Sequence, residues 1–100
     1  MTRPLKHADL LVTIRVAAMS GGYVITEHAK LRMAQRKIDL VEVLQVLGAG
    51  WHEAAKDEFA EQFCAWNYAI RGKTVDGRGL RVVVAFDPTL MLITVVDLGI

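Results

Sequence analysis

Residues 80–97 read Leu80-Arg81-Val82-Val83-Val84-Ala85-Phe86-Asp87-Pro88-Thr89-Leu90-Met91-Leu92-Ile93-Thr94-Val95-Val96-Asp97, two nearly unbroken apolar runs about one Asp-Pro-Thr turn. Runs this short and this rich in Val, Leu and Ile fit strands that lie centrally in a sheet and are covered by helices. Upstream, Thr74 to Gly79 is a turn, and its Asp76-Gly77 pair is the strongest hairpin signal in the chain. The segment before it, Phe59 to Arg71, has period two. Phe63, Ala65, Asn67 and Ala69 fall on one side, and Cys64, Trp66, Tyr68 and Ile70 on the other. Trp51 to Ala55 is a weaker strand. The second half of the chain therefore reads as a meander of four strands.

The first half has a helical period. From His7 to Ser20, Leu10, Leu11, Ile14, Ala17 and Ala18 recur on one face, and Gly21-Gly22 ends the helix. Val12, Val16 and Met19 form a second apolar side, so this helix is either sandwiched in the fold or meets a partner, a second copy of the chain included. The first arrangement is the commoner. Tyr23 to Thr26 is a short strand. Thr26 stands where an N-cap belongs, with Glu27 suited to the helix dipole, and the helix runs to about Lys37. Asp39 caps another helix, carrying Leu40, Val43, Leu44 and Leu47 and closed by Gly48 and Gly50. The expected fold is α+β, helices packed on a small mostly antiparallel sheet, in the order α-β-α-α-β-β-β-β. One domain covers residues 1–100.

At 100 residues the chain is long enough for one core, and 53% hydrophobic against 23% charged residues is a globular composition. No apolar run is long enough to span a bilayer. Met1 to Lys6 lacks the order of a signal peptide, and Cys64 is alone, so a cytoplasmic protein with no membrane association is expected. His7, His28, His52 and Cys64 lack metal-ligand spacing, and no phosphate loop, nucleophile elbow or dinucleotide fingerprint is present. Neither a metal nor a cofactor is expected.

The net charge of +1 hides two basic blocks, Lys30, Arg32, Arg36 and Lys37 in the second helix and Arg71, Lys73, Arg78 and Arg81 about the hairpin. His28, Arg32 and Arg36 recur at i, i+4 and i+8, a stripe with apolar residues on both sides: Ala29 and Met33 on one, Leu31, Ala34 and Ile38 on the other. Such a stripe faces the body of the protein. There it either lines an anion-binding groove or pairs with acids such as Asp39, Glu42 or Asp97. Arg71, Lys73, Arg78 and Arg81 would suit RNA phosphates on a flexible hairpin, although ordinary solvated charges are the commoner explanation. Arg81 stands apart because it interrupts an apolar strand. Trp66 and Tyr68 share a strand face, for stacking on bases or, more often, for packing under a helix. A general acid or base for ribose 2′-OH attack is available in His28, His52, Tyr68 or Lys56, and the sequence selects none of them.

The string Ile25-Thr26-Glu27-His28-Ala29-Lys30-Leu31-Arg32-Met33-Ala34-Gln35-Arg36-Lys37-Ile38 resembles the opening of DUF4258, a bacterial family of domains of unknown function. Val43-Leu44, Val46-Leu47, Gly79 to Val84 and Ile93 to Val96 continue the likeness over roughly residues 24–97. That family is similar in fold to the RelE and BrnT toxins, and the first helix is similar in layout to the start of the MqsR toxins. The resemblance implies a toxin of a type II toxin–antitoxin pair, a metal-independent endoribonuclease acting on mRNA, with or without the ribosome. An antitoxin, of MqsA type in some relatives, would hold it in check. Residues carry over only at the helix motif, onto His28, Arg32 and Arg36; Tyr68, Arg71, Lys73, Arg78 and Arg81 are candidates from geometry alone. The alternative is a non-catalytic module that binds protein or RNA.

Overall fold

A computed structural model of the chain describes residues 3–99. The elements run α1 (Leu10–Ser20), β1 (Tyr23–Ile25), α2 (Glu27–Arg36), α3 (Leu40–Ala49), β2 (Trp51–His52), β3 (Glu58–Ala60), β4 (Ala65–Lys73), β5 (Gly79–Phe86) and β6 (Leu90–Gly99). Two 3-10 turns, Ala54–Lys56 and Glu61–Phe63, flank β3. The α+β class holds, with three helices and a sheet in the order β1-β6-β5-β4-β2; β3 also pairs with β4, and β1 is the one strand that joins its neighbour in parallel. No helix among the described residues is long and apolar enough to cross a membrane.

Local chemistry explains most boundaries. The Thr26 hydroxyl accepts the Ala29 N–H and donates to the Leu92 carbonyl, so one side chain caps α2 and fastens it to β6. Asp39 and Glu42 form a reciprocal capping box that starts α3. The first helix begins at Leu10, later than His7, because residues 3–7 run as an extended strap beside β4. There the Trp66 indole donates to the Pro4 carbonyl and the His7 N–H donates to the Tyr68 hydroxyl. The longer strand expected within Phe59 to Arg71 begins only at Ala65; Phe63 falls in the Glu61–Phe63 turn, which ends with Cys64 at φ 49° and separates β3 from β4. Five strands, not four, therefore follow α3.

Helix cover also differs from expectation. The helices pack on one face of the sheet, where Leu47, Ile70, Leu80, Val82, Val84 and Leu92 are fully buried with Ile14, Val43 and Val46. Each such side chain contributes roughly 1.5–3 kcal/mol through removal from water. Gly50 and Gly72 allow the end of α3 to lie directly on β4: a Cβ at Gly50 would stand 2.5 Å from the Arg71 carbonyl oxygen. The other face carries Ala69, Arg71, Arg81, Val83, Ala85, Thr94 and Val96, and no α-helix among the described residues covers it. A bulge opposite Val83/Val84 makes Ile93 an extra residue, and Ile93 and Thr94 both line a groove on that face. The apolar runs are continuous because the segment 53–65 shields part of it. On α1, Val12, Val16 and Met19 remain exposed.

Candidate functional site

The uncovered face is built around three charged side chains. The hairpin register sets Arg71 directly opposite Arg81. Like charges in that position repel. Glu53, entering from the turn after β2, resolves the repulsion: its Oε1 accepts from Arg81 Nε at 2.7 Å, and its Oε2 accepts from Arg71 Nη1 at 3.1 Å and Arg81 Nη2 at 3.3 Å. The side chains of Glu53 and Arg81 are 16% and 18% exposed, and that of Arg71 is 43% exposed. Hydrogen bonding from Arg81, with further help from Arg71, holds the Glu53 carboxyl below its ordinary range, and the same contact raises the Arg81 guanidinium. Glu53 is therefore ionised at neutral pH, and the trio carries one net positive charge.

Glu53 is placed by a second carboxylate. The Asp57 side chain is buried; its Oδ1 accepts the Ala69 N–H at 2.9 Å, while the Glu53 N–H donates to the Ala69 carbonyl at 2.8 Å. Both ends of the 53–57 turn are thus pegged to one residue of β4. Asp57 Oδ2 meets Lys6 Nζ at 2.9 Å and His52 Nε2 at 2.7 Å, which satisfies the charge that burial would otherwise leave unpaired. The peg also anchors the strap through Lys6.

Beside Arg81 lies a groove of about 400 Å³, lined by Lys56, Glu58, Asn67, Val83, Ile93, Thr94 and Val96. A second cleft of about 540 Å³ shares Asn67 and Ile93 with it and extends past Phe63, Cys64 and Met91 to Asp87. The two form one furrow across the open face. Among the described residues no cluster of His, Cys, Asp or Glu is suited to a metal ion.

The residues proposed from sequence do not converge on this face as a set. His28 and Arg36 on α2 are exposed, and Arg32 is half-buried with its guanidinium on Gln35. The inward stripe is therefore corrected to a rim. Ala29 and Met33 supply the contact with the core, while Leu31 and Ala34, expected to flank the stripe on an inner side, face solvent. Arg32 and Arg36 form no ion pair with a carboxylate among the described residues; Glu42 and Asp97, two of their expected partners, are taken by Arg78. Arg78 Nη1 and Nη2 also donate to the Arg36 and Lys37 carbonyls at 3.2 Å each, closing the C-terminus of α2. Contact with Glu42 raises the Arg78 guanidinium further.

The hairpin is not a free basic flap. Its turn is pinned by the buried Thr74, bonded to Asp76 and Arg78, and by Gln45, which accepts the Val75 N–H. Lys73 is exposed at its end. Tyr68 lies under the helices with its hydroxyl engaged by the strap, on the side of the sheet opposite the Glu53 trio. His52 shares that side, paired across from Ile70. Trp66 meets Phe59 edge to face, and its ring faces Lys6 and Arg3. Of the candidates, Arg71, Arg81 and Lys56 reach the uncovered face, and Glu53, Asp57 and Asn67 are the additions.

A small α+β domain with one sheet face covered by helices and the other holding a carboxylate between two arginines is the class this geometry defines. The chain belongs to the family of domains of unknown function DUF4258, whose model matches residues 25–97. No curated protein and no solved structure gives a significant match.

Proposed function

We propose that the uncovered face binds single-stranded RNA and cleaves it without a metal ion, and that the protein acts as the ribonuclease toxin of a toxin–antitoxin pair. The observation that carries the reading is Glu53 held between Arg71 and Arg81 at the edge of an open furrow. In the free protein the arginines keep the carboxylate ionised. An RNA phosphate competes for the same guanidiniums, and as they turn to its oxygens the proton affinity of Glu53 rises towards that of a useful base. The 2′-OH proton then passes to Glu53 while the 2′-oxygen bonds to phosphorus. The bond from phosphorus to the 5′-oxygen breaks, and that oxygen takes a proton from Lys56, in the same groove, or from water. Arg71 and Arg81 neutralise the charge that develops on the phosphoryl oxygens. The products are a 2′,3′-cyclic phosphate and a free 5′-hydroxyl.

The toxin assignment rests on the resemblance of the helix motif Ile25 to Ile38 to a family similar in fold to the RelE and BrnT toxins. The cations along the α2 rim, Arg32, Arg36 and Lys37, would extend the electrostatic footprint to flanking phosphates. An antitoxin, MqsA-like or otherwise, would act by covering the furrow. The second reading, a binding module without chemistry, draws on the exposed Val12, Val16 and Met19 of α1. Induced expression decides between them: growth arrest with fragmented mRNA is expected for the wild type and not for Glu53→Gln. Undisturbed growth and intact RNA from well-expressed, folded wild-type protein would overturn the ribonuclease reading and leave the binding module.

A further inference from the structure

The furrow has two chemically different ends. At one, Arg81 and Lys56, with the single acid Glu58 beside them, stand over a floor of Val83, Thr94 and Val96. At the other the cations are gone: the cleft is walled by Phe63, Cys64 and Met91, and Asp87 stands at its margin. Asn67 and Ile93 line both ends, so the two adjoin at these residues. Phe63 is 71% exposed, held out on the turn that separates β3 from β4, and no other aromatic ring packs on it among the described residues. The Asn67 side chain has no hydrogen-bond partner among the described residues, although it lies at the junction of the two clefts.

A phosphate is repelled by the Asp87 end and attracted by the Arg81 end, which fixes the direction of an occupant. An exposed ring, an amide with free donors and acceptors, and an apolar floor are what an unstacked base requires. The cleft, at about 540 Å³, lies within the ~300–1,000 Å³ that admit a small ligand. A duplex cannot offer a base in this way, because its bases are paired and stacked.

The geometry points to a base-binding subsite between Phe63 and Met91, in which the base next to the phosphate held by Arg81 stacks on Phe63 and hydrogen-bonds to Asn67. This inference rests on the reading of the Glu53 face as an RNA site, and it restricts the substrate to an unpaired strand. Phe63 and Asn67 are then the residues that determine specificity.

The test uses the full chain carrying Glu53→Gln, which leaves the strand uncut, and fluorescence anisotropy with a single-stranded RNA oligomer and an abasic oligomer of the same length. The base-containing strand is expected to bind roughly tenfold or more tighter than the abasic one, the range a single stacked base supplies. Phe63→Ala should bring the ratio close to one while leaving the salt dependence unchanged; Phe63→Trp should preserve it, and Asn67→Ala should reduce it. Equal binding of the two strands, or a ratio that survives Phe63→Ala, overturns the subsite. If equal binding accompanies cleavage by the wild type, the subsite alone fails. If neither strand binds, the RNA reading fails with it.

Discussion

Two arginines of the same hairpin, Arg78 and Arg81, meet carboxylates in opposite ways. Arg78 is engaged through both terminal nitrogens: the Arg36 and Lys37 carbonyls and Glu42 accept from them, Asp97 stands 3.6 Å away, and the side chain joins the end of α2 and the start of α3 to the sheet. Two carboxylates there surround one guanidinium. Around Glu53 the count is reversed, with two guanidiniums on one carboxylate at a face that no α-helix among the described residues covers. In the first arrangement the carboxylates outnumber the cation, and no positive charge is left over for an anion. The second leaves a positive charge that an anion can take up and a carboxylate that such an anion would release. Exposure alone does not distinguish them, since Arg78 and Arg81 are buried to nearly the same degree. The ratio of charges and the neighbouring furrow do.

The contrast is sharpest in catalysis. Glu53→Gln should lower the rate of RNA cleavage by roughly a hundredfold or more, the contribution of a general base, with the circular dichroism spectrum unchanged. A variant that cleaves normally would reduce the trio to a surface ion pair. The next effect separates the two arginines. Arg78→Ala should lower the urea midpoint and leave RNA affinity per folded molecule unchanged. Arg81→Ala should do less to the midpoint and should lower the slope of log affinity against log salt by about one, the signature of one lost phosphate contact. If the two variants exchange behaviours, the assignment of roles is wrong.

Acid titration gives a smaller effect with a defined sign. The folded-state Glu53 carboxyl lies below its ordinary value of 4.5, so its pairing contributes stability that is fully present above that pH. The contribution is lost as pH falls through the lower folded value. The stability difference between wild type and Glu53→Gln should thus be flat near neutrality and shrink below about pH 4.5, as urea titrations at stepped pH would show. A difference that grows on acidification would contradict the pairing. Smallest of all, Arg32→Ala/Arg36→Ala should change stability by no more than about 0.5 kcal/mol, as expected for substitutions on a surface rim. It should weaken RNA binding only through the salt-dependent part of the affinity. A large loss of stability would return these arginines to the interior position that their spacing first suggested.

How far the sequence led follows from what each signal encodes. The caps at Thr26 and Asp39 and the Asp76-Gly77 turn are local, and they placed α2, α3 and the hairpin closely. The turn at Glu61–Phe63 was misplaced because Phe63 and Cys64 share the period-two pattern of β4, and only the αL backbone at Cys64 reveals where the strand stops. The stripe of His28, Arg32 and Arg36 was misplaced because periodicity gives a face without saying what stands opposite, and Ala29 with Met33 suffices to seat the helix. The Glu53 trio was half legible. Arg71 and Arg81 each lie five residues from Asp76 (76 − 71 and 81 − 76), so a hairpin centred there sets them opposite one another. That Glu53 answers them, with Asp57 pegging it to Ala69, depends on long-range pairing between β2 and β4, which no local pattern carries.

Whether 2′-OH chemistry takes place at Glu53 is read from the ends of RNA fragments in cells expressing the wild type or Glu53→Gln. Fragments ending in 2′,3′-cyclic phosphate and beginning with 5′-hydroxyl are expected in the wild type and are expected to be absent with Glu53→Gln at equal protein level. Fragments bearing 3′-hydroxyl and 5′-phosphate, or cyclic phosphate ends that persist in Glu53→Gln, would contradict 2′-OH chemistry at Glu53.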